Sequence, residues 1–205
     1  RQLEHWLEQG TPMQDQMLNM LAGVTPIPAD VERRAKLLQD CQRAHHPTMI
    51  HPHAEFQGLL DVCQPLLHHS AMAGQGLMFL SEQFFIDLLV WYHLAWMGAS
   101  VHQQDPRVGE LMDRARGFNM QDRRMLLEII HAAMRDIIPR YRALYELGRI
   151  ELSTTPYGHP IVPLLLDFDS MNDAQPDAPR PQHESYPGGQ ERARWHMDKG
   201  LQVFA

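Results

Sequence analysis

The chain is poor in cysteine, in excess basic charge and in long apolar runs, and each shortage removes a class of protein. Only two cysteines, Cys41 and Cys63, occur in 205 residues. They lack the paired spacing of a zinc site and are too few for a disulfide scaffold. They read as free thiols of a reducing compartment, with a single disulfide as the alternative. Lysine and arginine total 18 against 25 acids, for a formal net charge of −7. No broad cationic face is implied, so nucleic acid is not an expected partner. The arginines over 107–149 alternate with acids and read as a solvated helix surface. The most apolar stretch, 84–97, is too short for a membrane span and carries Asp87 and His93. No secretory signal opens the chain. A membrane is therefore not an expected partner, and the cytoplasm is the default compartment.

What is present is enough for one substantial domain, 1–205, with an ordinary 44% of hydrophobic residues. The chain begins at Arg1 without an initiator methionine and ends at Ala205, in helical patterns at both places. It is expected to be a fragment of a longer domain, truncated at both ends.

Helical signals dominate. Residues 1–9 form a helix end closed by Gly10, and Thr11-Pro12 opens a second helix with Met13, Met17, Leu18 and Leu21 in step. A Pro-rich break over 23–28 precedes a third helix, 29–44, with Asp30 at its start. A fourth covers 54–67, where His68-His69 complement its dipole. Ser81 caps the apolar helix over 84–97, which Gly98 closes. Asp105-Pro106 starts a short helix, and Asn119 caps the longest, 120–147. There Leu126, Ile130, Ala133, Ile137, Tyr141 and Leu144 make a continuous apolar stripe. Pro139 inside it predicts a kink or two abutting helices. A loop and a short helix follow residue 160, then a polar, Pro-rich loop over 173–187 and a last helix over 190–204.

Two clusters bear on chemistry. His45-His46-Pro47 and His51-Pro52-His53 suggest a metal, but the prolines deny them helical spacing and no Cys or carboxylate completes the set. They read as a polar surface loop, and no metal or cofactor is assigned. The second is 148–159, Gly-Arg-Ile-Glu-Leu-Ser-Thr-Thr-Pro-Tyr-Gly-His. Gly148 ends the long helix, and a strand over 149–154 is predicted from the alternation of Ile150 and Leu152 with Glu151 and Ser153. On spacing alone this is either a solvated edge strand or an acid and a histidine set at a strand end. Trp91, Tyr92 and Trp96 are either core or a platform for sugar rings. About eight helices and one strand suggest an all-α domain, yet a lone strand needs a partner, and helix–strand–helix is the rhythm of an α/β barrel.

From Gly148-Arg149-Ile150-Glu151-Leu152 through Tyr157-Gly158-His159-Pro160 the chain resembles glycoside hydrolase family 57. Val90-Trp91-Tyr92-His93-Leu94-Ala95-Trp96, Arg116-Gly117-Phe118, Ile137-Ile138-Pro139-Arg140-Tyr141-Arg142 and Tyr186-Pro187-Gly188-Gly189 extend the likeness over roughly residues 80–205. That family acts on α-glucans and related α-glycosides. The resemblance implies a (β/α)7 barrel, so the fold class is α/β with a helix-rich portion here, and a retaining mechanism with two carboxyls about 5 Å apart. It places the family's His-Gln-Pro strand before Arg1, the nucleophilic Glu after Ala205 and the acid/base Asp beyond that, so no catalytic residue is assigned within the chain. Glu151 and His159 are implied as substrate-binding residues, with Trp96 and Trp91 as weaker stacking candidates. Position 158 is Gly where many relatives carry an aromatic. The implied function is part of a retaining glycoside hydrolase or transglycosylase, with an oligo- or polysaccharide as partner. The competing readings are a non-catalytic helical carbohydrate-binding or scaffold protein, and a metal-dependent barrel hydrolase using the histidines.

Overall fold

In the computed structural model, residues 2–68, 75–179, 181–183 and 185–204 are described. The chain divides into two compact units, 1–140 and 141–205. Eleven α-helices occur among the described residues, and no strand does.

The first unit is a helical assembly around one apolar core. Its helices are α1 (Gln2–Gln9), α2 (Gln16–Leu21), α3 (Val31–Cys41), α4 (Ala54–His68), α5 (Glu82–Ala95), α6 (Ala99–Gln104), α7 (Pro106–Arg114) and α8 (Met120–Arg135). Most begin where a side chain can accept an orphan amide. Asp30 accepts from Arg33, Ser81 from Phe84, and Asn119 closes a reciprocal capping box with Asp122. The second helix starts later than Thr11-Pro12 suggests. Asp15 caps it, and the buried Asn19 side chain ties back to both main-chain groups of Met13, holding 13–15 outside the helix.

Helix α5 is the centre. Phe85, Leu88, Leu89, Val90, Trp91 and Leu94 are all buried, and α2, α3, α4 and α8 pack around them. An all-round apolar helix has no other stable place in water. One of its polar exceptions, Asp87, is buried with four contacts. It accepts the Gly117 and Phe118 amides at 3.0–3.1 Å and the Gln83 side-chain amide at 2.8 Å. The carboxylate thereby holds the turn that leads into α8. Buried Arg123 works the same way, donating at 2.7 Å to the carbonyl of Leu21 at the end of α2.

The histidine cluster differs from the expected loop. Residues His46–Ile50 make one wide helical turn, with Pro47 at its start where a missing amide costs nothing. The side chains of His68 and His69 lie outside the described residues. Cys41 and Cys63 are free and buried; burial pushes the Cys63 thiol up to about 12 and raises Cys41 as well.

Pro139 produces two abutting helices. Helix α8 stops at Arg135, and α9 (Ile137–Glu146) restarts after Asp136, so Pro139 falls in a first turn. The boundary between the units falls inside α9. The apolar stripe is buried at Leu126 and partly at Ile130, but Ile137, Tyr141 and Leu144 are exposed. Nothing among the described residues covers that end.

The second unit holds the end of α9, α10 (Val162–Leu166) and α11 (Gly189–Phe204), with a 3-10 turn over Phe168–Asp173. Gly148, at φ +64°, ends α9 in a Schellman arrangement: its amide donates to Tyr145 and the Arg149 amide to Leu144, both at 2.9 Å. The predicted strand over 149–154 does not form among the described residues; the segment is neither helical nor paired. A strand is defined by the neighbour that accepts its amides, and none lies alongside. Two close approaches shape the unit. The chain at Leu165 comes so near Gly189 that a Cβ there would lie 1.6 Å from the Leu165 carbonyl oxygen. At Gly200 a Cβ would lie 2.9 Å from the Thr155 oxygen and 3.1 Å from the Tyr157 nitrogen. Glycine at these two helical positions lets 155–157 and α10 rest on α11.

Candidate functional site

The main feature of the second unit's geometry is the path of 150–159 across α11. Leaving the Gly148 cap, residues 150–156 run to a turn in which the His159 amide donates to the Pro156 carbonyl at 2.9 Å. Gly158 supplies the left-handed third position, φ +71°, that such a turn needs. His159 follows at φ +49°, one of two non-glycine residues among those described with positive φ. Histidine tolerates this region better than most side chains, but it is still uncommon. The turn is locked to α11 from both sides. The Tyr157 amide donates to the His196 carbonyl at 2.8 Å, and the His196 ring nitrogen Nδ1 donates to the Tyr157 carbonyl.

This path leaves an open groove of about 430 Å³. Residues 154–159 form one wall, and Gly200, Val203 and Phe204 form the other. One wall is thus rich in hydroxyls, an imidazole and main-chain polar groups, while the other is apolar. A sugar ring has the same division between hydroxyl edges and C–H faces.

His159 lies on the groove, exposed, and its ring makes no hydrogen bond to a described residue. Glu151 precedes the groove and is exposed, with no hydrogen bond or ion pair to a described residue. Both side chains are available to a ligand in their present conformations. Trp96 and Trp91 lie in the first unit. Trp96 is the residue that ends α5, is 54% exposed and sits 6.1 Å from the Tyr92 ring. Trp91 is a core residue: it is 3% exposed, donates its indole N–H to the Ala115 carbonyl at 2.8 Å and lies 5.7 Å from the His53 ring. It presents no face to a sugar. One turn of α5 separates outward from inward at this point, which a nearly all-apolar helix does not reveal in sequence.

Sequence reasoning missed two contributors: Tyr157, which lines the groove, and His196, which holds the turn to α11. Tyr157 stands in the motif itself, between two residues that were singled out. His196 belongs to the last helix, and the available signal was Gly200, since a glycine inside a helical pattern marks a close backbone approach. No cluster of three or more His, Cys, Asp or Glu suited to a metal occurs among the described residues. No helix among them is long and apolar enough to cross a membrane.

Neither a curated protein nor a solved structure matches the chain. A family model does: Glycosyl hydrolase family 57 matches residues 51–203, which include the whole path of 150–159 and α11. The match supports glycoside hydrolase or transglycosylase chemistry on a carbohydrate substrate. Because the matched span covers most of the sequence, the chain belongs to glycosyl hydrolase family 57.

Proposed function

We propose that the chain is the substrate-lining part of a retaining enzyme that hydrolyses or transglycosylates α-glucans in the cytoplasm. In this reading Glu151 and His159 hold sugar hydroxyls, Trp96 offers a stacking face, and the nucleophile and acid/base carboxyls lie outside the chain. The segment 149–154 would be an inner strand of a (β/α)7 barrel, pairing when its neighbours are supplied. The observation that carries the reading is Glu151, a carboxylate without a partner among the described residues, inside the span matched to a carbohydrate-active family. An acid with no structural use at that position is available to bind substrate or to tune a neighbouring carboxyl.

The test has two arms. Glu151→Gln in an enzyme containing the complete barrel should lower turnover by about ten- to a hundredfold, the worth of a hydrogen bond to a charged group. Its melting temperature should change little, because Glu151 supports no contact here. The isolated chain should hydrolyse no α-glucan. Wild-type turnover in Glu151→Gln would reduce Glu151 to a surface acid. Turnover by rigorously pure isolated chain would overturn the placement of the carboxyls outside it. A complete protein that binds glucan and never cleaves it would favour a non-catalytic carbohydrate-binding protein.

A further inference from the structure

An exposed aromatic corner stands beside the groove. Tyr157 on the turn and Trp195 on α11 meet with ring centroids 5.9 Å apart and planes 87° apart. Tyr157 is 47% exposed and Trp195 53%. Neither the phenol hydroxyl nor the indole N–H makes a hydrogen bond to a described residue. The corner is rigidly placed. The Tyr157 amide and carbonyl are both bonded to His196, the residue after Trp195, and Gly200 admits the turn one helical turn further on.

Aromatic residues at a surface usually turn a face inward. Here two perpendicular rings are held apart from the core with their polar handles unused. A pyranose ring fits such a corner: its C–H face is attracted to the negative face of an indole, and its hydroxyls meet the donors at the ring edges. We infer that Trp195, braced by Tyr157, is a stacking platform that seats one glucopyranose ring of the substrate beside the 154–159 groove. The inference rests on the carbohydrate reading above and names a residue that reading does not use. Trp195 touches no reacting atom; it positions a sugar unit.

The test is maltoheptaose binding by the 205-residue chain, measured by calorimetry alongside cellohexaose. The wild type should bind maltoheptaose. Trp195→Ala should weaken binding about tenfold, the equivalent of one aromatic stacking contact. Trp195→Phe, which keeps a ring, should recover most of that loss. A second readout avoids any folding defect: in the wild-type nitrogen–proton spectrum, the indole signal absent from Trp195→Phe should shift on adding maltoheptaose. Equal affinity in wild type and Trp195→Ala, with an unmoved indole signal, overturns the platform and leaves the carbohydrate reading standing. If the wild type binds neither glucan, the platform and the carbohydrate reading of this groove fall together. Equal losses for both glucans keep the platform and remove the α-linkage from the functional reading.

Discussion

Replacing Gly200 by alanine tests whether α11 and the 155–157 turn are coupled as closely as the structure requires. In an exposed helix interior, glycine to alanine stabilises by about 0.5–1 kcal/mol. Gly109 in α7 is such a site, since a Cβ there meets nothing within 4 Å. Gly109→Ala is therefore the control, and should gain that amount. At Gly200 the added Cβ would lie 2.9 Å from the Thr155 oxygen, 3.1 Å from the Tyr157 nitrogen and 3.4 Å from Pro156 Cα. All three are backbone atoms, so no side chain can swing aside. Overpacking of this kind costs about 1–3 kcal/mol, which offsets the propensity gain and leaves a net loss of up to about 2.5 kcal/mol. For a chain of this size the melting temperature should fall by up to roughly 10 °C, where Gly109→Ala raises it. The turn must lift from the helix, so the Tyr157–His196 bonds weaken and the groove changes shape. Thermal melts followed by circular dichroism give the stability, and hydrogen exchange at the Tyr157 amide reports the turn. If Gly200→Ala stabilises like Gly109→Ala, with protection at Tyr157 intact, the close approach is wrong and so is the geometry of the groove.

Asp87→Ala should cost about 1–3 kcal/mol, since it strands the buried Phe118 amide and removes the partner of the Gly117 amide and the Gln83 side chain; a loss below about 1 kcal/mol in urea denaturation would mean that the Phe118 amide finds water instead. Trp91→Phe removes the donor to the Ala115 carbonyl and should destabilise by about 1–3 kcal/mol, while maltoheptaose affinity stays unchanged; a lost affinity with normal stability would make Trp91 a ligand contact. Stability should fall on acidification. Burial first, and then the neighbouring His102, hold His53 below the ordinary histidine value of 6.5, and burial does the same for His93. Above that value both states are neutral; as pH falls through it, the unfolded chain takes up protons that the folded chain refuses. Melting temperature should therefore drop from about pH 7 to about pH 5, and by less in His53→Gln; an equal drop in the variant would place the effect elsewhere.

The legible part of this protein is the part encoded over a few residues. Asp30, Ser81 and Asn119 announce helix starts because an N-cap needs only its own side chain and an amide two or three residues on. Gly148 announces a helix end because the left-handed position is its own backbone's property. Pro139 splits a helix for an equally local reason. The motif around Glu151 was readable for the same cause, since its residues are contiguous, and it leads to the family that the matched span supports.

What escaped the sequence depends on neighbours distant along the chain. Alternation over 149–154 predicted a strand, but pairing requires another segment's backbone alongside, and none lies there among the described residues. Trp91 and Trp96 look alike in a helix apolar on every side; the Ala115 carbonyl and the packing of α5 put one inside, and the helix end leaves the other in solvent. Gly189 and Gly200 look like weak points in α11 until Leu165 and Thr155 are seen resting on them. Sequence alone therefore determined most of the helices, the caps at Asp30, Ser81 and Asn119, and the family. Tertiary structure decided which aromatic faces are exposed and that Trp195 stands against Tyr157, because side-chain burial and contact across forty residues are properties of packing and not of local order.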